Sequence, residues 1–343
     1  MTLATILPVP TIAAPRKIII DTDPGVGIPG TDADDPIALL LAIADPRIEL
    51  LGVTTVFGNC PPELGARGAK AVLEAVGCDV PVSVGMGTRL TGDLPGRLPM
   101  MYAGERGRPG RIELPSLGDS ITGMHAADFL IETVHAHPGE VTVVAIGPQT
   151  NIALALLKDP SIRDEIASIV FMGGALGIDP RYGRGNVTPV AECNIWYDAP
   201  AADLVFRSGI DLTMVSLDVT NPAKGVVLPE ETIRRFDPTA AGAEGILSAI
   251  CETYLDAPMF EWAHGCVLYD PLAMAVAVDP ALGRFETMSV GVETGGTYSM
   301  GQTVTVRDAE PNLRALVDVD GRAVVGDIVR TILPHLAIEE GAS

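Results

Sequence analysis

Apolar positions come in blocks along this chain, and each block ends in polar residues before a stretch with helical spacing begins. Lys17 to Asp21 is an isoleucine-rich run, followed by a helical pattern over Asp34 to Ala44. Ile48 to Val56 and Pro62 to Val76 repeat that strand-then-helix order, and Val80 to Val84 adds a short strand. Asp119 to His135 reads as a helix, Val141 to Ile146 as a strand, and Ile166 to Met172 and Leu212 to Leu217 as further strands with a helix, Pro200 to Ser208, between them. Near-continuous β-branched runs mark strands covered on both faces, the pattern of a parallel sheet between helix layers. The fold class this predicts is α/β: an open, mostly parallel, doubly wound sheet with helices on both faces. The tail reads differently. Phe285 to Glu293, Thr303 to Asp308 and Leu313 to Asp318 predict a small antiparallel meander, closed by a helix over Gly321 to Leu333. The expected organisation is one domain over 17–335, with a flexible extension at 1–16 and a tail at 336–343.

Two loops, Thr88 to Gly118 and Gly177 to Gly185, are rich in glycine and proline and read as borders of a site or an interface. The 343 residues are 47% apolar but only 4% aromatic, so the core is expected to be aliphatic and alanine-rich. The net charge of −21 argues against nucleic acid or an anionic membrane as partner. Five widely spaced cysteines (Cys60, Cys78, Cys193, Cys251 and Cys266) without a CxxC pair suit a reducing compartment, and a cytoplasmic location is expected. The first fifteen residues are apolar, but Arg16 is their first basic residue, which does not suit a secretory signal. No apolar run approaches the roughly 18 residues that span a bilayer, so a soluble protein is expected.

The candidate chemistry lies in the first loop. Asp21, Asp23, Asp32, Asp34 and Asp35 fall within fifteen residues, just after the first strand. Carboxylates crowded at the carboxyl end of a strand repel one another unless a cation sits among them. A hard divalent ion with oxygen ligands is the natural partner. Asp270 stands at a helix start, where a simple N-cap is the plainer role. Glu192 and Asn194 are two residues apart in a proline-broken segment, and on an extended stretch both would face one cleft.

Five motifs in order give a family likeness. These are Asp21-Thr22-Asp23-Pro24-Gly25 with Asp34-Asp35 and Gly58-Asn59, then Gly147 to Ala153, then Phe171 to Gly174, then Asn186 to Asp198, and Asp270 to Ala273. From about Lys17 to Leu333 the chain resembles the inosine–uridine-preferring nucleoside hydrolases, which are Ca²⁺-dependent ribonucleoside N-glycosidases. The resemblance implies that Asp23, Asp35, Asp270 and the backbone carbonyl of Thr150 hold one Ca²⁺. It implies that Asp23 also takes the proton of the attacking water, and that carboxylates stabilise an oxocarbenium-like ribosyl transition state. Asn186 and Glu192 would hold the 5′-hydroxyl, and Asn194 and Asp34 the 2′- and 3′-hydroxyls. Asn59 would lie near the latter and Met172 on the pocket floor. The implied substrate is a small ribonucleoside, taken up in purine or pyrimidine salvage, and the implied assembly a homodimer or homotetramer.

Three positions depart from the family pattern. Val26 to Ala33 stand where the family has a single residue, which makes Asp32 a competing ligand to Asp35. Tyr269 stands where many members carry a histidine that protonates the leaving base, and Ala103 where another histidine is expected. Leaving-group assistance then falls to Tyr269, His264, Glu105 or stacking by Trp262. Two other readings fit the opening Asp-x-Asp. One is a haloacid-dehalogenase-type phosphohydrolase with Asp21 as nucleophile, but lysine is scarce downstream, only Lys158 and Lys224 beyond residue 70. The other is a Ca²⁺-dependent nucleoside or sugar binder with little or no turnover.

Overall fold

The computed structural model describes residues 14–92, 111–118 and 121–336. Its strands are β1 (Arg16–Thr22), β2 (Ile48–Thr55), β3 (Val82–Val84), β4 (Val141–Ala145), β5 (Ile166–Met172), β6 (Leu212–Val215), β7 (Val227–Pro229), β8 (Gly265–Val267), β9 (Gly283–Met288), β10 (Val290–Val292), β11 (Thr303–Thr305) and β12 (Leu313–Val319). The α-helices are α1 (Asp34–Ala44), α2 (Pro62–Val76), α3 (Ala126–Ala136), α4 (Thr150–Lys158), α5 (Cys193–Tyr197), α6 (Ala199–Phe206), α7 (Glu230–Ile233), α8 (Ala243–Leu255), α9 (Tyr269–Val278) and α10 (Gly321–Ile332).

Eight strands form one sheet in the order β3-β2-β1-β4-β5-β6-β12-β9. All neighbours are parallel except β12 and β9, which pair antiparallel at the edge. The isoleucines of β1 explain why the apolar run is unbroken. Ile18 and Ile20 face the core beneath α1, α2, α8, α9 and α10, whereas Ile19 faces the core beneath α3, α4 and α6. Each is fully buried, a gain of roughly 1.5–3 kcal/mol apiece before the entropy of folding is subtracted. The strand order reverses between β1 and β4. Ligands of open α/β sheets bind beyond the carboxyl ends of the strands at such a switch point. That is where the acidic loop after β1 and the turn before α4 lie side by side.

The tail corrects the expected meander. Leu313 to Val319 enters the main sheet beside β6, because its residues are apolar on both faces and need helix cover on each side. Phe285 to Glu293 splits into β9, which borders β12, and β10, which pairs with β11 in a separate ribbon. The helix expected from Asp119 begins at Ala126, where the His125 side chain accepts a hydrogen bond from Ala127 N at 3.2 Å and caps it. Asp119 itself, Ala103 and Glu105 fall outside the described residues. Among the described residues, no helix is long and apolar enough to cross a membrane.

Candidate active site

Five connections around the carboxyl end of the sheet supply the site. The first follows β1. Asp23 is almost fully buried, and its Oδ2 accepts a hydrogen bond from Asn59 N at 2.6 Å. The chain then loops out and returns. Thr31 Oγ1 donates to the carbonyls of Gly25 and Ile28, and Gly27 and Gly30 adopt positive φ, so the extra residues form a closed turn of their own. As a result Asp34 and Asp35 still enter α1 directly beside β1. Asp35 Oδ1 accepts from Asp23 N at 3.1 Å and from Thr22 Oγ1, and its Oδ2 accepts from Asn59 Nδ2 at 3.0 Å. The insertion therefore leaves Asp35 against Asp23, while Asp32 lies beside the cluster, half-buried.

Asp270 comes from the first turn of α9, and its N–H reaches Asp34 Oδ2 at 3.4 Å. Carboxylate oxygens of Asp34, Asp35 and Asp270 lie within 4.8 Å of one another. Among the described residues, no lysine or arginine forms an ion pair with these acids or with Asp23. Without an ion, burial first, then mutual repulsion, pushes the carboxyls of Asp23, Asp34 and Asp270 well above the usual range. Asp32 is pushed up to about 7 by burial and by Asp35. A dense, buried, all-oxygen donor set of this kind fits a hard divalent cation, which would relieve the repulsion that burial imposes.

The remaining positions surround that cluster. Thr150 opens α4, and its Oγ1 donates to Asp198 Oδ2 at 2.9 Å. Asn194 Nδ2 donates to the carbonyls of Met172 and Ile146, at 3.2 and 3.3 Å, so the amide is held between β5 and the turn after β4. Glu192 and Asn194 do not lie on an extended stretch as expected. Glu192 is the N-cap of α5 and its carboxylate accepts from Asn194 N, Ile195 N and Gly174 N at 2.8, 3.1 and 2.8 Å. Capping won because a carboxylate satisfies the free N–H groups of a helix start. Burial still pushes the Glu192 carboxyl up, against the pull of those hydrogen bonds. Asn186 is exposed at the loop edge, with Oδ1 accepting from Cys193 N at 2.9 Å. Tyr269 is the first residue of α9. Burial and the charges of Asp32, Asp34, Asp270 and Glu192 drive its phenol well above its ordinary value. It can donate a hydrogen bond but does not release its proton near neutrality. His264 is exposed, with φ of 53°, and has no hydrogen bond from its ring among the described contacts.

Several further residues brace the site from behind. Asp198, fully buried, also accepts from Leu90 N at 2.8 Å and so fixes Thr150 against the loop after β3. Asn151 Nδ2 donates to Asp21 Oδ1 at 2.8 Å, and Thr54 Oγ1 to the same oxygen at 2.6 Å. Asp21 thus braces the strand behind Asp23, and burial pushes its carboxyl up to about 7. Gly58 is required for a different reason. A Cβ there would lie 1.7 Å from Asp23 Oδ2. Gly58→Ala should displace the Asp23 carboxylate while leaving the fold intact. With Asp23 in the general-base role that the family resemblance implies, the expected loss in kcat is roughly 10²- to 10⁴-fold, with an unchanged circular dichroism spectrum. A near-normal kcat would show that Asp23 need not sit there.

Residues 18–326 match the inosine-uridine preferring nucleoside hydrolase family. The chain belongs to that family. Its relatives include uridine nucleosidase 1 of Arabidopsis thaliana, 37% identical over 82% of this chain and 79% of the relative. The pyrimidine-specific ribonucleoside hydrolase RihA of Citrobacter koseri is 35% identical over 90% of this chain and 95% of its own. Among solved structures, a purine-preferring ribonucleoside hydrolase from Gardnerella vaginalis superposes with a TM-score of 0.79 at 32% identity, covering 92% of this chain and 98% of that one. As a nucleoside hydrolase the chain is an N-glycosyl hydrolase, and the phosphohydrolase reading of the opening Asp-x-Asp is set aside.

Proposed function

We propose that this nucleoside hydrolase is a Ca²⁺-dependent ribonucleoside N-glycosidase that releases ribose and a free base. The observation that carries the reading is the buried cluster of Asp34, Asp35 and Asp270 oxygens with Asp23 hydrogen-bonded alongside. Asp23, Asp35, Asp270 and the Thr150 carbonyl are the proposed ligands. When bound, Ca²⁺ supplies a counter-charge to the carboxylates and raises the acidity of a water. Asp23 Oδ2 is engaged by Asn59 N, which leaves Oδ1 to take the proton of that water as it attacks the anomeric carbon. The C1′–N bond breaks, and its electron pair departs with the base. Asp34, Asn59, Asn186, Glu192 and Asn194 would hold the ribose hydroxyls above Met172. A substrate lacking one of those hydroxyls would leave buried polar groups unpaired and be rejected.

Uridine and pyrimidine names among the relatives, and a purine name among the structures, make both base classes necessary in a test. Ribose release from uridine, cytidine, inosine and adenosine would be measured before and after chelation, and again after Ca²⁺ is restored. Turnover lost with chelator and regained with Ca²⁺ is the expected result. Full turnover in chelator would remove the metal from the reading. Nucleoside binding without ribose release would make the protein a binder. The free cysteines among the described residues are in keeping with a cytoplasmic location, and a homodimer or homotetramer is expected by light scattering.

Tyr269 gives a second test. Its phenol is a hydrogen-bond donor to the departing base and not a strong acid. Tyr269→Phe should reduce kcat/KM for inosine by about 0.5–1.5 kcal/mol, the contribution of one hydrogen bond. A nitrophenyl riboside, whose leaving group needs no proton, should be affected less. Equal losses on both would restrict Tyr269 to shaping the pocket. No loss on either would move the role to His264 or a water.

A further inference from the structure

Of the four proposed ligands, only that of Thr150 is a backbone atom. Its direction therefore depends on what holds the peptide that follows Thr150. The connection from β4 to α4 brings this peptide against the acids. A Cβ on Gly147 would lie 3.0 Å from Asp23 Oδ1 and 2.8 Å from Val56 Cγ1, so a bare backbone suits the close approach. The chain then turns tightly into α4, with Thr150 N donating to the Pro148 carbonyl at 2.8 Å and Ala153 N to the Gln149 carbonyl at 2.9 Å.

Both side chains that flank the Thr150–Asn151 peptide are pinned. Asn151 Oδ1 accepts from Met86 N at 2.9 Å, and its Nδ2 donates to Asp21 Oδ1 at 2.8 Å and to the Thr55 carbonyl at 3.0 Å. That end of the peptide is tied to β1, β2 and the loop after β3. At the other end, Thr150 Oγ1 donates to Asp198 Oδ2 at 2.9 Å. Asp198 is fully buried, and among the described residues no lysine or arginine forms an ion pair with it. A buried carboxylate without a cation depends on its hydrogen-bond donors. Here they are the Thr150 hydroxyl, Leu90 N at 2.8 Å and Ala201 N at 3.2 Å. Threonine is stiff about χ1, so holding Oγ1 also holds the Thr150 backbone from which the carbonyl springs.

We propose that Asp198 is a positioning residue for the ion site, acting through the Thr150 hydroxyl to set the direction of the Thr150 carbonyl. This rests on the Ca²⁺-dependent reading above. Asp198 caps α6, and its donors come from α4, α6 and the loop after β3, none of them from the four acids of the cluster. The carbonyl therefore stands in place whether or not the ion is bound. A ligand fixed beforehand loses little further freedom when the ion enters. Partners that hold a metal ligand from behind typically contribute roughly 10- to 100-fold in metal affinity.

The test uses the whole chain as wild type, Thr150→Val, Thr150→Ser, Asp198→Asn and the double variant Thr150→Val/Asp198→Asn. Calorimetry reads the Kd of Ca²⁺, and thermal unfolding in chelator reads the metal-free fold. Thr150→Val keeps the side-chain shape and the backbone carbonyl but has no hydroxyl to donate. Its Kd should rise by roughly 10- to 100-fold, whereas Thr150→Ser, which keeps the hydroxyl, should bind Ca²⁺ nearly as wild type does. The double variant should bind no more weakly than Asp198→Asn, because both changes break the same bond. Should Asp198→Asn fail to fold, the valine and serine variants still decide. A Kd for Thr150→Val within about twofold of wild type, well short of a supporting partner's contribution, would overturn the proposal. So would equal weakening by valine and serine, losses that multiply in the double variant, or a lower unfolding temperature in chelator with an unchanged Kd, the mark of a purely structural bond. Wild type that binds no Ca²⁺ would instead refute the underlying metal reading, an outcome distinguishable from these.

Discussion

Asp23→Ala should abolish turnover and metal binding together. The carboxylate is buried beside Asp35 and held by Asn59 N, and it is the proposed base for the water and a proposed ligand of the ion. Asp23→Asn separates the two roles. The amide keeps an oxygen that can ligate weakly, but it cannot accept the water's proton. Removing a general base typically lowers the rate by roughly 10²- to 10⁴-fold, so kcat should fall by that range while Ca²⁺ binding, read by calorimetry, is weakened and still measurable. A change confined to KM would show that another group is the base. Near-normal turnover in Asp23→Ala, with any nucleoside, would remove Asp23 from the mechanism altogether. In both variants the Asn59 side chain can keep its hydrogen bond to Asp35, so the pocket wall should hold its shape.

What could be read in the sequence depended on how local its cause was. The run from Lys17 to Asp21 and the carboxylates after it identify a buried strand feeding an acidic loop, because both signals lie in neighbouring residues. The place of Leu313 to Val319 was not legible. Its partner β6 is about a hundred residues away, and nothing in a short apolar run distinguishes a central parallel strand from a ribbon. Helix α8 is hard to discern in the sequence although Ile246, Leu247, Ile250, Cys251 and Tyr254 fall on one buried face, since Gly242 and Gly245 blur its start. The three-residue strands β7 and β8 are too short for any periodicity. Within the site, the acids are visible as a cluster, but Glu192 reads as part of an extended stretch rather than as a cap, because a five-residue helix carries no repeat. Asp198 could have been found. It precedes an Ala-Pro at the opening of α6, the position of an N-cap, and its side chain accepts from Ala201 N at 3.2 Å.

Asp270→Asn should change the stability of the protein in opposite directions with and without the ion. In the metal-free protein the Asp270 carboxyl is raised by burial and by Asp34, Asp35, Asp23 and Asp32. A raised acid binds its proton more tightly when folded, so its share of stability is full below the unfolded value near pH 4 and is lost as pH rises toward the folded value. Asparagine has nothing to ionise. The metal-free variant should therefore unfold at a higher temperature than metal-free wild type at pH 8, by about 1–3 kcal/mol of stability, and the difference should shrink toward pH 4. Added Ca²⁺ reverses the ranking. Wild type gains RT ln(1 + [Ca²⁺]/Kd), about 2.7 kcal/mol at a hundredfold excess over Kd, whereas the variant, short of one anionic ligand, gains little. Calorimetric unfolding of both proteins in chelator and in Ca²⁺ checks this. A variant less stable than wild type in chelator would mean that Asp270 is paired favourably without an ion, as a plain helix cap would be. An undiminished Ca²⁺ shift in the variant would place the ion elsewhere. Crossing stabilities are expected only if the carboxylates are held together for a cation, against their own repulsion.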